Sequence, residues 1–147
     1  MIPERLLLFS AAGREFACNL QEIAEVMEPR ACFPFAGAPP HYLGLINFHG
    51  TLTALVDLAL YLGCPSRPVP GKLLVLDTKL AHLALRVDVV SAIISAETIT
   101  GEAPGDDPLT AALLETPSQG EVRLLRLEAL LCGLEQGLRQ PPPRLQP

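Results

Sequence analysis

The stretch Gly44-Leu45-Ile46-Asn47-Phe48-His49-Gly50-Thr51-Leu52-Thr53-Ala54-Leu55-Val56-Asp57-Leu58 decides the architecture. Side chains alternate along an extended chain, so Leu43, Leu45 and Asn47 share one face and Gly44, Ile46 and Phe48 the other. His49-Gly50 interrupts the run, and a second extended run follows. Strand, two-residue turn with a glycine to supply positive φ, strand: this is the pattern of a β-hairpin. Asp57 is placed to cap a short helical turn over residues 58–62, and Gly63 ends it. Apolar residues occupy both faces of the hairpin. Either both faces are covered, or one is covered and the other is offered to a partner.

Outward from this hairpin the pattern repeats. Residues 5–10 form an apolar strand, 11–14 turn, and 15–19 return with Phe16 and Cys18 on one face. Residues 20–27 change period. Leu20, Ile23, Ala24 and Met27 recur at helical spacing, Asn19 stands at the N-cap and Glu22 three residues on, so a helix is expected, ended by Pro29. Cys32-Phe33 is extended, and Pro34, Gly37, Pro39 and Pro40 make a loop. Residues 65–71, with three prolines and a glycine, read as a loop or a connector between lobes. Residues 72–77 and 80–87 form two more strands, with Leu83, Leu85 and Val87 inward and His82 and Arg86 outward. Residues 88–95 suit strand or short helix. Residues 97–108 are an acidic loop containing Gly and Pro. Residues 111–115 and 121–126 pair as strands, and Leu127, Leu130, Leu131 and Leu134 mark an amphipathic helix. The Pro-rich tail, residues 140–147, is expected to be disordered. Many short strands punctuated by turns imply small β-barrels.

At 147 residues the chain suits one domain, or two small lobes, with enough length to bury a core. Hydrophobic residues make up 49% of it, yet no apolar run approaches the ~20 residues of a membrane span. The first nine residues carry an early Glu and too short an apolar core for a signal peptide. Hydrophobicity without a span implies a tight core or an apolar docking face. The net charge is −5 with no basic run, so nucleic acid is not an expected partner. Cys18, Cys32, Cys64 and Cys132 form no Cys-x-x-Cys pair. They are expected as small core residues in a reducing cytoplasm.

Candidate chemistry is sparse. Asp57 and Asp88 each follow a Val, and no nucleophile or oxyanion donor stands near them in sequence, so capping roles are expected. His41, His49, His82 and the cysteines show no ligand spacing on one element, and no metal, cofactor or catalytic residue is assigned. Asn47 on an apolar strand face suggests a hydrogen bond that ties the hairpin to a neighbouring loop. A small metal-dependent enzyme on a β scaffold is the competing class, and stoichiometric zinc or iron in purified protein would favour it.

The order of these elements resembles the CheW family of chemotaxis coupling proteins. The matching pieces are Leu8-Phe9 with Phe16-Ala17-Cys18; Ile23-x-Glu25-Val26; Pro39 before Gly44-Leu45-Ile46-Asn47-Phe48-x-Gly50; Leu55-Val56-Asp57-Leu58; Leu83-Ala84-Leu85-x-Val87-Asp88-x-Val90; and Leu124-Leu125 before Leu130-Leu131. They span roughly residues 5 to 134. The resemblance implies a mainly β fold, two SH3-like five-stranded barrels side by side with short helices and a groove between them, over residues 1–139. It implies a cytoplasmic, non-enzymatic adaptor without cofactor or membrane insertion. That adaptor bridges chemoreceptor cytoplasmic tips to the regulatory domain of a CheA-type histidine kinase. The kinase contact is edge to edge between barrels, and the receptor hairpin lies in the groove. On this reading Glu25, Val26, Met27, Asn47, His49 and Gly50 contact partners. The chain departs from the family at His49, where Arg is usual, near Ala54 in place of Pro, at Ala84 in place of Gly, at Ala92 in place of an acidic residue, and in a shortened loop around Gly105. Imidazole cannot make the bidentate, permanently charged contact of a guanidinium, so a divergent member that has left the signalling array is the alternative.

Overall fold

Two short turns, Ala12-Gly13 and His49-Gly50, start the two halves of the molecule. All four residues have positive φ, of 54°, 73°, 49° and 84°, the geometry whose twist matches that of the flanking strands. The computed structural model describes residues 2–34 and 36–139. In chain order the strands are β1 (Arg5–Ala11), β2 (Arg14–Asn19), β3 (Ile23–Met27), β4 (Tyr42–Phe48), β5 (Thr51–Asp57), β6 (Lys72–Leu76), β7 (Leu83–Val87), β8 (Val89–Ser95), β9 (Gly101–Pro104), β10 (Thr110–Thr116) and β11 (Gly120–Leu125). Helix α1 (Leu58–Tyr61) follows β5, and α2 (Leu127–Arg139) follows β11.

The strands form two sheets. One has six, in the order β8-β1-β2-β11-β10-β9, and the other five, in the order β3-β6-β7-β5-β4. Each contains one parallel pair, β2 with β11 and β5 with β7. The five-stranded sheet curls until its two margins meet. Arg30 beyond β3 donates from Nη1 to the Asn47 carbonyl at 2.9 Å, Glu25 on β3 faces His49, and Phe33 makes a β-bridge to Leu45.

Three apolar clusters fill the fold. Leu6, Leu8, Ala17, Leu114, Val122 and Leu124 fill the six-stranded lobe. Met27, Ile46, Leu55, Leu73, Val75 and Ala84 fill the five-stranded one. The largest cluster lies between them and joins Leu7, Phe9 and Phe16 to Leu74, Leu76 and Leu85, with Leu127, Leu130 and Leu134 of α2. This arrangement explains the unbroken apolar runs Leu6-Leu7-Leu8-Phe9 and Leu73-Leu74-Val75-Leu76. Alternate side chains enter a lobe interior and the interlobe core, so these strands are covered on both faces. Each large side chain so buried stabilises the fold by ~1.5–3 kcal/mol.

Several expectations are corrected. Residues 20–27 are not a helix: Leu20–Glu22 make one 3-10 turn, and β3 follows. β3 pairs with β6, and the register slips between Ile23 and Glu25. The bulge turns Ile23 toward the interlobe core and Met27 into the five-stranded lobe. Apolar residues at 20, 23, 24 and 27 thus line two faces of a bulged strand while matching a helical period. Asn19 does cap, accepting at Oδ1 from the Gln21 N–H at 3.0 Å. Residues 65–71 join α1 to β6 inside one lobe rather than connecting lobes. The chain crosses between lobes at the 3-10 turn and at Asp88. Residues 88–95 resolve into strand β8, and the expected acidic loop contains β9, which raises its sheet to six strands. Cys18 is buried, but Cys32 and Cys64 are only half-buried and Cys132 is exposed on α2. The expected disordered tail lies outside the described residues.

Candidate partner-binding surface

The β4–β5 hairpin projects the surface. Phe48 pairs with Thr51 and Asn47 with Leu52, so Asn47 and Leu52 share a face. Asn47 Oδ1 accepts the Gly50 N–H at 2.8 Å, which fixes the turn locally. His49 takes a left-handed backbone at φ 49°, a region His enters more readily than most residues. Its Nε2 stands 3.7 Å from Glu25 Oε1, with the side chains 75% and 45% exposed. Both groups are well solvated, so the pair adds little to stability. Leu52 and Val26 are exposed beside them, at 63% and 41%.

The structure therefore brings Glu25, Val26, Asn47, His49 and Gly50 together from two strands that are neighbours only because the sheet closes. Met27 is the exception among the expected contacts. It is buried and belongs to the lobe core, because β3 is a strand whose next residue after the outward Val26 turns inward. Leu52 is the member that sequence reasoning missed. The available signal was the hairpin register, which places it opposite the outward Asn47. Asn47 ties down its own turn through Oδ1, and its carbonyl takes the Arg30 contact.

The ionisable groups of the interior serve a brace. Asp57 caps α1, accepting the Leu60 N–H at 3.2 Å and the Ser66 hydroxyl at 2.7 Å. Arg86 Nη1 lies 3.6 Å from Asp57 and 3.4 Å from Asp88. Arg67 reaches Asp88 from the other side at 3.8 Å. Asp88 is therefore no helix cap: it shares a guanidinium with Asp57 at the point where the chain changes lobe, and its N–H donates to the Ser10 carbonyl at 2.8 Å. Arg86 also donates to the Val69 carbonyl, which pins the 65–71 loop.

His41 packs against the rings of Tyr42 and Tyr61 at 5.0 and 5.1 Å, and burial pushes its imidazole below the usual range. Burial, with Glu22 adding to it, pushes the Cys18 thiol up to about 12. Among the described residues no group of three or more His, Cys, Asp or Glu side chains converges as metal ligands. No described helix is long and apolar enough to cross a membrane.

The family model of the CheW-like domain matches residues 5–133. The chain belongs to the CheW-like domain family. Chemotaxis protein CheW of Rhizobium meliloti (strain 1021) is 29% identical over 92 residues, which cover 61% of this chain and 59% of that protein. The probable chemotaxis protein CheW of Rhizobium etli is 28% identical over 140 residues, 88% of each chain. The crystal structure of the scaffolding protein TtCheW from Thermoanaerobacter tengcongensis superposes with a TM-score of 0.70 over 85% of this chain and 90% of that one, at 17% identity. The mainly β, two-lobed CheW-like fold expected from the sequence is thereby established, with a six-stranded lobe in place of one of the two five-stranded ones.

Proposed function

We propose that this protein is a non-enzymatic, cytoplasmic adaptor of bacterial chemosensory signalling that couples chemoreceptor tips to a CheA-type histidine kinase. The observation that carries the reading is the outward cluster of Glu25, Val26, Asn47, His49 and Leu52 on a CheW-like lobe. It combines exposed apolar side chains with a polar rim, the composition of a protein-docking site. A receptor's helical hairpin is the proposed occupant of this side of the molecule. For the kinase, β8 is the proposed margin. It closes the six-stranded order at one end, its seven residues carry no charge, and Val89 and Ile93 project from it into solvent. Such an edge suits strand-to-strand pairing.

The test is direct binding of the folded protein to a receptor signalling-tip fragment and, separately, to the regulatory domain of a CheA-type kinase. Binding to both, with receptor affinity altered by His49→Arg and kinase affinity lowered by Ile93→Lys, supports the adaptor. Failure to bind either partner refutes it. If the kinase binds and His49→Arg leaves the receptor equally unbound, the chain has kept the fold and left the receptor array.

A further inference from the structure

A concave site lies between the lobes, and none of the residues of the surface described above lines it. It is a cleft of about 600 Å³, within the size range of sites for small organic ligands. Its walls come from both lobes and from α2. Phe16 belongs to β2, Leu109 precedes β10, Tyr61 and Leu62 stand at the end of α1, and Ala129 lies on α2. Gly133 forms part of the wall. A Cβ added there would lie 2.1 Å from the Tyr61 hydroxyl, so the glycine lets Tyr61 rest directly on the α2 backbone.

Three charged side chains line this cleft. Arg123 is committed, with Nη1 bonded to Asp106 and 3.1 Å from Asp107. Asp107 is thereby paired as well. Arg14 makes no ion pair and no side-chain hydrogen bond among the described residues, and it is exposed at the rim. The cleft thus offers an apolar body and one uncommitted guanidinium. A guanidinium holds a planar carboxylate in a bidentate contact. A dianionic phosphate would meet the Asp107 carboxylate on the same rim, which disfavours it.

From this arrangement we infer that the interlobe cleft binds a small amphipathic carboxylate, its alkyl or aryl body between Phe16, Tyr61 and Leu109 and its carboxylate on Arg14. The bound molecule touches both lobes and α2 at once, so binding raises the thermal stability of the whole protein.

Octanoate is the probe, with octanol as its uncharged counterpart, titrated calorimetrically into the full-length protein. Saturable one-to-one octanoate binding is expected. Arg14→Ala should weaken octanoate by about tenfold or more and leave octanol unchanged. Ala129→Trp should fill the cleft and abolish binding of both, with its melting transition retained. Should that variant not fold, Cys132→Phe is the substitute filler. The inference is overturned by an absence of saturable octanoate binding, by equal losses of octanoate and octanol in Arg14→Ala, or by octanoate binding that survives a filled cleft. A dimer seen by sedimentation that the filled cleft disrupts would make a second copy of the chain the occupant, and would overturn it too.

Discussion

The Ala12-Gly13 and His49-Gly50 turns share one backbone geometry and have opposite fates. The strands leading to the first are almost wholly buried, from Leu6 to Phe9 and from Phe16 to Cys18. Its tip, though exposed at Gly13, is touched by the other lobe: a Cβ added at Gly13 would lie 3.3 Å from Arg67 Nη2. That arginine belongs to the other lobe's 65–71 loop and also reaches Asp88. At the second tip, nothing lies within 4 Å of a Cβ added at Gly50, and His49 and Leu52 face solvent. One local device abuts the neighbouring lobe in one hairpin and stands clear in solvent in the other. Turn chemistry sets the hairpin, and whatever packs on its tip sets its use.

The largest expected effect breaks the brace on the interlobe side of this comparison. Arg86→Met removes the cation shared by two carboxylates that are almost fully buried, Asp57 and Asp88. Leaving buried charges uncompensated costs ~3–5 kcal/mol, measurable as a lower denaturant midpoint. Receptor-fragment affinity per folded molecule should be unchanged, since the brace stands apart from the open tip.

Next comes Gly44→Ala, at the base of the open hairpin. Its φ is 148°, and an added Cβ would lie 2.6 Å from the Phe33 carbonyl oxygen. Strain of this kind destabilises by about 2 kcal/mol. A loss of thermal stability accompanied by weaker receptor binding would show that the barrel seam at Phe33 and Leu45 supports the tip. Unchanged stability would contradict that close approach.

The buried stem of the first hairpin gives a pH signature. Cys18 has its thiol raised from 9.0 to about 12 by burial. Between those values the unfolded chain has released the proton and the folded chain retains it. The folded state therefore binds more protons, and stability falls as pH rises through the window, by up to ~1.4 kcal/mol per pH unit. Denaturant titrations from pH 8 upward should show that slope in the natural chain and a shallower one in Cys18→Ala. Equal slopes would mean the thiol is solvated. Alkylation at mildly alkaline pH should label the exposed Cys132 and spare Cys18 until the protein unfolds.

The smallest effects sharpen the comparison. Ala12→Gly and His49→Gly each relieve a left-handed non-glycine residue, offset in part by the entropy of glycine, for a net gain of about 0.5 kcal/mol. The two should look alike in a melting curve and differ in function. His49→Gly should weaken receptor-fragment binding and Ala12→Gly should not. Equal binding by both variants would remove His49 from the contact surface.

Much of this fold was legible because it is coded over short distances. The Gly of each turn, the alternation in residues 42–57 and the Asp57 cap act within a few residues, and the structure reproduces them. Leu127, Leu130, Leu131 and Leu134 of α2 face the interlobe core as their spacing requires. The apolar positions of β3 fit a helical period because a bulge lets Ile23 serve the interlobe core and Met27 the lobe core, and only pairing with β6 separates this from a helix. Within the candidate surface, Glu25, Val26, Asn47 and His49 were named while Leu52 was not. The mark of Leu52 lies in the hairpin register, opposite Asn47, and not in the residue type itself.

Local periodicity and turn chemistry by themselves determined that this chain makes hairpins, where they bend, and that its apolar runs need cover from a core or a partner. Tertiary structure decided which elements supply that cover. It closed one sheet until β3 met the His49 turn, joined Asp57 to Asp88 through Arg86, sent Met27 inward, and opened a cleft beneath α2. These outcomes depend on residues far apart in the chain that meet only once the interlobe core is buried. Hydrophobic burial rewards the meeting without being written at either end of it.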